Sequence, residues 1–329
     1  MALRNSDPDL SSNHTLLTSL SEGMVLISII VPAYNEGTQI VSNIRQILLL
    51  AEPCGHDLEL IVVDDGSKDN TSQVVSEYSA IEPRVTLVSF TRNFGKEAAI
   101  YAGLENCKGQ AAIIIDADLQ HPPQLIPEMV AAWRDGAMAV EAVKEKRNDS
   151  SSLDAWLARS FYKLYHKLSG FDIEGHSDFK LIDRSVIDTY LKLPERYRFF
   201  RGLINWLGVE GVSIGFEVAP RSGETSKWNK LGLLKYAVNN VTAFSTIPLM
   251  IVTWLGSITL ALGFVLLIIT LWQKMIGSAE GGFTTVNLLL IFVGGSIMTS
   301  LGIIGHYISK IYHEVKARPI YIKKNNPRK

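Results

Sequence analysis

The chain has 329 residues and a formal net charge of -1, with 32 Lys and Arg set against 33 Asp and Glu. This balance argues against a uniformly basic nucleic-acid binder, and the length suits one large domain with an appended module. Cys54 and Cys107 stand far apart and outside any CxxC spacing, so neither a zinc site nor a disulfide framework is indicated and a reducing compartment fits.

Residues 1–24 read as a flexible tail, because the stretch is rich in Ser, Asn and Asp and lacks the basic start and apolar run of a signal peptide. From residue 25 the pattern alternates short apolar runs with amphipathic helical stretches. The runs cover residues 26–31, 58–63, 85–90, 111–115 and 137–143. Each is β-branched, nearly all apolar and followed by polar or Gly-containing residues, the signature of strands buried on both faces of a mostly parallel sheet. The predicted fold class is therefore α/β, with ligands held at the carboxyl ends of the strands. A helix over 153–168, a strand over 178–182, a helix over 198–207 and a strand over 212–218 extend this domain to residue 227. Residues 228–248 are mildly apolar at helical spacing and predict an interfacial helix.

Residues 249–272 carry no charge and, as a helix, span about 36 Å, enough for the ~30 Å core of a bilayer with some tilt. Residues 283–305 form a second such run, so 249–309 predict a two-helix transmembrane hairpin. Only Lys274 and Glu280 are charged between the runs. Lys227, Lys230 and Lys235 precede the first, and a basic tail over 310–329 follows the second. The positive-inside rule then places the α/β domain and both termini on the cytoplasmic side; the expected location is the inner (cytoplasmic) membrane, spanned twice.

The acidic motifs fall where the strands end. Asp116-Ala117-Asp118 follows the fourth run; two carboxylates there suit Mg²⁺ or Mn²⁺ shared with a leaving diphosphate, and they equally suit a turn before the helix opened by Pro122 and Pro123. Asp64-Asp65-Gly66-Ser67 follows the second run and reads both as a Gly turn with a helix cap and as the place where Asp65 takes a base or ribose. Tyr34-Asn35-Glu36 follows the first and supplies a wall for the same base. Arg92 to Lys96 reads as a strand-to-helix turn, and His121, His176 and His306 as local hydrogen-bonding residues without metal-ligand spacing.

Taken together, the ordered motifs VPAYNE, VVDDGSKDNT, RNFGKEAA, DADLQHPP, SDFKLIDR, RFFRG and RSGETSK, ahead of two apolar spans and EVKARPIYI, are specific. The chain resembles the polyprenyl-phosphate glycosyltransferases of glycosyltransferase family 2, and within them the GtrB-like bactoprenol glucosyltransferases, relatives of dolichyl-phosphate mannose synthases. The resemblance covers nearly everything after Met24. It implies a GT-A fold, a metal-dependent inverting displacement, a nucleotide-sugar donor (UDP-glucose, with GDP-mannose or another UDP-sugar as alternatives), a polyprenyl phosphate acceptor and a homo-oligomer. By the same resemblance Pro32, Ala33, Tyr34, Glu36 and Asp65 hold the nucleoside, and Asp116, Asp118 and Gln120 organise metal and diphosphate. Arg221 and Lys227 lie near the donor phosphates. Arg147 and Arg159 lie where the acceptor phosphate is held, as does Lys144, where relatives often carry Arg. Trp228 stands where a Tyr is usual. Asp178 matches the proposed catalytic base, which acts beside Asp118.

Three readings of Asp178 stay open: base, orienting group for a sugar hydroxyl or an arginine, or partner of Lys180 or Arg184 in a salt bridge. A phosphate monoester is largely ionised at neutral pH and needs little deprotonation. A processive polysaccharide synthase would show a QxxRW-type motif and more spans, and this sequence has neither. The alternative from another class is a catalytically silent membrane-bound nucleotide-sugar binder or scaffold; it predicts loss of the metal carboxylates, whereas Asp116, Asp118 and Asp178 are present, and tight nucleotide-sugar binding without turnover would support it.

Overall fold

The computed structural model describes residues 24–144, 177–216, 247–277 and 282–324. Each of the five apolar runs forms a strand: β1 (Leu26–Ala33), β2 (Asp57–Asp64), β3 (Val85–Ser89), β4 (Ala111–Ile114) and β5 (Ala139–Lys144). β6 (Lys180–Asp183) and β7 (Gly211–Phe216) complete a seven-stranded sheet in the order β3-β2-β1-β4-β6-β5-β7. β6 runs antiparallel to both its neighbours, and every other pairing is parallel. This is the mostly parallel α/β architecture that the apolar runs predict.

The runs are apolar throughout because the sheet is covered on both faces. Along β2, Leu58, Leu60 and Val62 pack with α1 (Ile40–Ala51), α2 (Thr71–Ser79) and α4 (Ile126–Arg134). Ile61 and Val63 point the other way, toward α3 (Lys96–Asn106), α5 (Arg184–Lys192) and α6 (Phe200–Trp206). The period of two thus splits each strand between two cores.

Register then decides what meets at the sheet's carboxyl edge. Ala33 pairs with Asp64, and Ile30 with Ile114, so β1, β2 and β4 finish side by side and their following motifs share one edge. Because β6 runs antiparallel to β4, with Ile114 opposite Lys180, the residue that enters β6 lies beside the residues that leave β4. Asp178 is thereby placed against Asp116.

The two apolar runs form α7 (Ile247–Ile276) and α8 (Phe283–Val315), both longer than the stretches 249–272 and 283–305 that hydropathy marks. Each is long and apolar enough to cross a membrane, and the apolar stretch of neither is buried against protein. The predicted helix over 153–168 and nearly all of the predicted interfacial segment 228–248 lie outside the described residues; Ile247 and Pro248 open α7. The residues read as a basic tail start differently. Residues 310–315 continue α8, and Lys323 bridges Phe90 beside β3, with Thr91 N–H donating to Ile322 O at 3.0 Å and Lys324 N–H to Ser89 O at 2.7 Å.

The turn after β2 is sterically exacting. Gly66 has φ +65°, and a Cβ there would lie 2.3 Å from the Arg92 carbonyl carbon. Gly66→Ala is expected to cost about 2 kcal/mol through left-handed strain plus displacement of the 92–95 loop. A drop in the denaturant midpoint at unchanged slope checks this.

Candidate functional site

The core of the site is an ion cluster that joins four elements. Asp116 follows β4, Asp178 precedes β6, Lys96 opens α3 and Arg201 lies in the first turn of α6. Lys96 Nζ lies 2.5 Å from Asp116 Oδ1 and 2.7 Å from Asp178 Oδ2, bridging the two carboxylates. Arg201 grips Asp178 in a fork, Nε donating to Oδ1 at 2.5 Å and NH2 to Oδ2 at 2.9 Å. Asp178 is 6 % exposed. Burial alone would push its carboxyl up, but the Arg201 hydrogen bonds and the Lys96 charge outweigh that and hold it well below the usual carboxylate range. Burial likewise works against the Lys96 ammonium, and the two aspartates more than offset it, raising its pKa.

Asp178 is therefore an ion-pair member, as one sequence reading has it, with other partners than that reading names. Lys180 pairs instead with Glu141 at 2.8 Å, and Arg184 with Asp188 at 3.6 Å. Lys96 and Arg201 are the members of this cluster that the sequence reading does not single out, although they lie within the motifs RNFGKEAA and RFFRG. The signal that could have found Lys96 is its position: a cation at the first residue of a helix opposes the helix dipole, so something stronger must hold it there.

Glu97, the neighbour of Lys96, accepts the Phe200 backbone N–H at 2.8 Å. Burial and the Asp178 charge push its carboxyl up to about 7, against the lowering effects of that N–H, Lys96 and Arg201. The His121 ring lies tilted against Phe179 and edge-on to Phe216, with centroids 5.8 Å apart in each pair. Its Nδ1 lies 3.7 Å from Asp116 Oδ2 and has no hydrogen-bond partner, and burial pushes its pKa down against the raising effect of the Asp116 charge.

The remaining acidic motifs build the adjoining edge. Asp65, 4 % exposed, accepts the backbone N–H groups of Phe94 at 2.6 Å and Gly95 at 2.9 Å. It therefore fastens the loop before Lys96. Burial raises its pKa, opposed by those two N–H groups. Asp64 accepts the Ser67 N–H at 3.0 Å, and Asp69 those of Gly37 and Thr71, both at 3.0 Å. Pro32 and Ala33 end β1, Tyr34 is 40 % exposed beyond it, and Glu36 donates its N–H to Thr71 Oγ1 at 2.9 Å. Two residues here hold the left-handed backbone that side chains disfavour, Asn35 at φ 56° and Leu119 at φ 55°. Such positions persist where the surrounding structure fixes them, and both lie within the motifs at this edge.

Mg²⁺ or Mn²⁺ suits the donors present. Asp118 Oδ1 accepts the Gln120 N–H at 3.1 Å, while Asp118 Oδ2 and Asp116 Oδ2 accept no hydrogen bond among the described residues. Asp118 and Gln120 are exposed. No closed cage of three or more His, Cys, Asp or Glu exists among the described residues. A hard cation held by one or two carboxylates and completed by phosphate oxygens matches that incomplete oxygen set. Lys144 ends β5; Arg147, Arg159, Arg221 and Lys227 lie outside the described residues.

Residues 28–191 match the model of the family described as glycosyl transferase family 2. An uncharacterized glycosyltransferase of Synechocystis sp. is 36% identical over 299 residues, covering 90% of this chain and 94% of its own. The bactoprenol glucosyl transferase of Shigella phage SfV is 36% identical over 308 residues, covering 92% and 99%. Among solved structures, a mannosyltransferase from Pyrobaculum calidifontis in complex with GDP-Man and Mn²⁺ is 18% identical, covers 84% of this chain and 87% of its own, and superposes with a TM-score of 0.45.

Because the folded-state pKa of Glu97 is raised from 4.5 to about 7, its contribution to stability is full below pH 4.5 and is lost as pH rises through 7. Glu97→Gln cannot ionise, so its unfolding midpoint should rise relative to wild type between pH 5 and pH 8. Parallel melting curves in detergent check this.

Proposed function

Because the chain belongs to glycosyltransferase family 2, we propose that it transfers a hexose, glucose from UDP-glucose, to polyprenyl phosphate at the cytoplasmic face of a membrane. The observation that carries this reading is the Asp116–Lys96–Asp178 bridge at the carboxyl edge of the sheet, flanked by Asp118 and by the Asp65-fastened loop. The lipid acceptor and the glucosyl group are carried over from the relatives' names, and the two unburied apolar helices support a membrane-bound enzyme.

The reaction joins two anions, and its main obstacle is their mutual repulsion. An ionised phosphate oxygen of the lipid attacks the anomeric carbon, the bond to the nucleoside diphosphate breaks, and its electron pair leaves with the diphosphate. Inversion makes the product β-linked from an α-linked donor. Asp116, Asp118 and Gln120 would hold Mg²⁺ or Mn²⁺, which would supply charge stabilisation for that leaving group. The nucleoside rests on Pro32, Ala33, Tyr34, Glu36 and Asp65, and Arg221 and Lys227 meet the donor phosphates. Lys144, Arg147 and Arg159 receive the lipid phosphate.

Asp178 serves this step as a fixed anion. A carboxylate held so far below its usual range is a poor proton acceptor, and a phosphate whose second pKa is near 6 needs no base. Its role is to hold Arg201 and Lys96 in place, so that positive charge is already ordered where anions meet.

Purified protein in detergent, given labelled UDP-glucose, undecaprenyl phosphate and Mn²⁺, should place label in the organic phase. EDTA should abolish labelling reversibly, and Asp118→Ala should slow it by at least ~10²-fold. Labelling that persists in EDTA and in the variant would overturn the metal role, and labelling only from another nucleotide sugar would replace glucose.

A further inference from the structure

Residues 314–324, which comprise the end of α8 and the chain just beyond it, reach the α/β domain at two places. At the first, the Glu314 carboxylate, one residue before the end of α8, accepts the backbone N–H of Arg196 at 3.0 Å and of Tyr197 at 3.0 Å. The Arg196 guanidinium closes the same joint by donating to Arg318 O. At the second, Tyr321 stacks on Phe90 with centroids 4.7 Å apart and planes at 25°, and its hydroxyl donates to Glu105. Lys323 Nζ donates to Asn106 Oδ1 at 2.8 Å, and the backbone pairs with residues 89–91.

What each attachment precedes in the chain is informative. Residues 196 and 197 lead within four positions to Phe200, whose N–H holds Glu97, and to Arg201, which forks onto Asp178. Residues 89–91 lead into the loop that Asp65 fastens and that ends at Lys96, the second cation on Asp178. Phe90 also meets Phe94 of that loop edge to face, at 5.8 Å. The two cations that hold Asp178 thus both stand on segments whose upstream ends are tied to one short stretch of chain.

We propose that residues 314–324 act as a positioning strap, with Glu314 and Tyr321 as positioning residues that set Arg201 and Lys96 around Asp178 and join the apolar helix mechanically to the catalytic centre. Both residues act through Arg196, Tyr197 and Phe90 and not through the ion cluster itself. The effect on turnover rests on the transfer reaction proposed above, whereas the effect on structure does not.

The experiment uses the full chain in detergent and has two arms. In the first, hydrogen exchange is followed in Glu314→Ala and in Tyr321→Ala, with Tyr321→Phe as the conservative control. Peptides covering 196–206 should exchange about tenfold faster in Glu314→Ala, and those covering 91–97 in Tyr321→Ala, as expected when a charge-assisted hydrogen bond or an aromatic stack is lost. Peptides of α1 should stay as in wild type, which establishes that each variant is folded, and Tyr321→Phe should keep wild-type exchange at 91–97. In the second, kcat should fall in Glu314→Ala with the donor KM unchanged, and the same substitution should add nothing in an Arg201→Lys background. Unchanged exchange at 196–206, or a fall in kcat that simply adds to that of Arg201→Lys, would overturn the strap. If wild type turns over no donor, the proposed reaction fails, and the exchange arm still decides the strap.

Discussion

The structure turns on one constraint: two carboxylates, Asp116 and Asp178, are delivered to the same place by the antiparallel register of β4 and β6, and one of them is nearly dry. Like charges so placed would normally drive one group to protonate. Lys96 bridges both, and Arg201 completes the neutralisation of Asp178. The arrangement sacrifices local preference. Lys96 stands at the first position of α3, where the helix dipole repels a cation by about 0.3–1 kcal/mol. A residue that breaks a local rule in favour of a distant partner marks a site where function outweighs intrinsic propensity.

From this cluster the neighbouring features follow. Asp65 spends its carboxylate on the N–H groups of Phe94 and Gly95, which fixes the approach of Lys96. Glu97 spends its own on Phe200 N–H, which fixes the start of α6 and with it Arg201. Gly66 lets the β2 turn pass against the Arg92 backbone. Three turns at one sheet edge therefore hold each other, and an error in any of them is transmitted to the ion cluster through covalent segments of a few residues.

Much of this was legible in the sequence, and the reason is physical. Strands buried on both faces must be apolar along their whole length, so the five runs announced the parallel core. Carboxylates at strand ends marked one edge of the sheet, and register gathers them there. What the sequence concealed depended on register and on crossovers. Nothing in the spacing of Lys96 and Asp178 shows that they meet, since their contact follows from strand order and from the antiparallel entry of β6. By composition residues 310–329 read as a basic cytoplasmic tail. Yet Tyr321 and Lys323 find partners on α3, and the backbone there pairs with the chain just beyond β3. Proximity in sequence offers Lys180 and Arg184 as ion-pair partners for Asp178 in one of its three readings, and those cations pair instead with Glu141 across the sheet and with Asp188 one helical turn on.

The most direct test of the central claim is single-turnover transfer by Lys96→Met, measured alongside nucleotide binding by the same preparation. If the ammonium orders the two carboxylates for reaction, transfer should slow on the order of 10²-fold while the nucleotide still binds, because the lost interaction acts at the reacting centre and not on the nucleoside. Transfer that stays within roughly threefold of wild type would contradict the account, since the Asp116–Lys96–Asp178 bridge would then be a structural ion pair without a part in the chemistry.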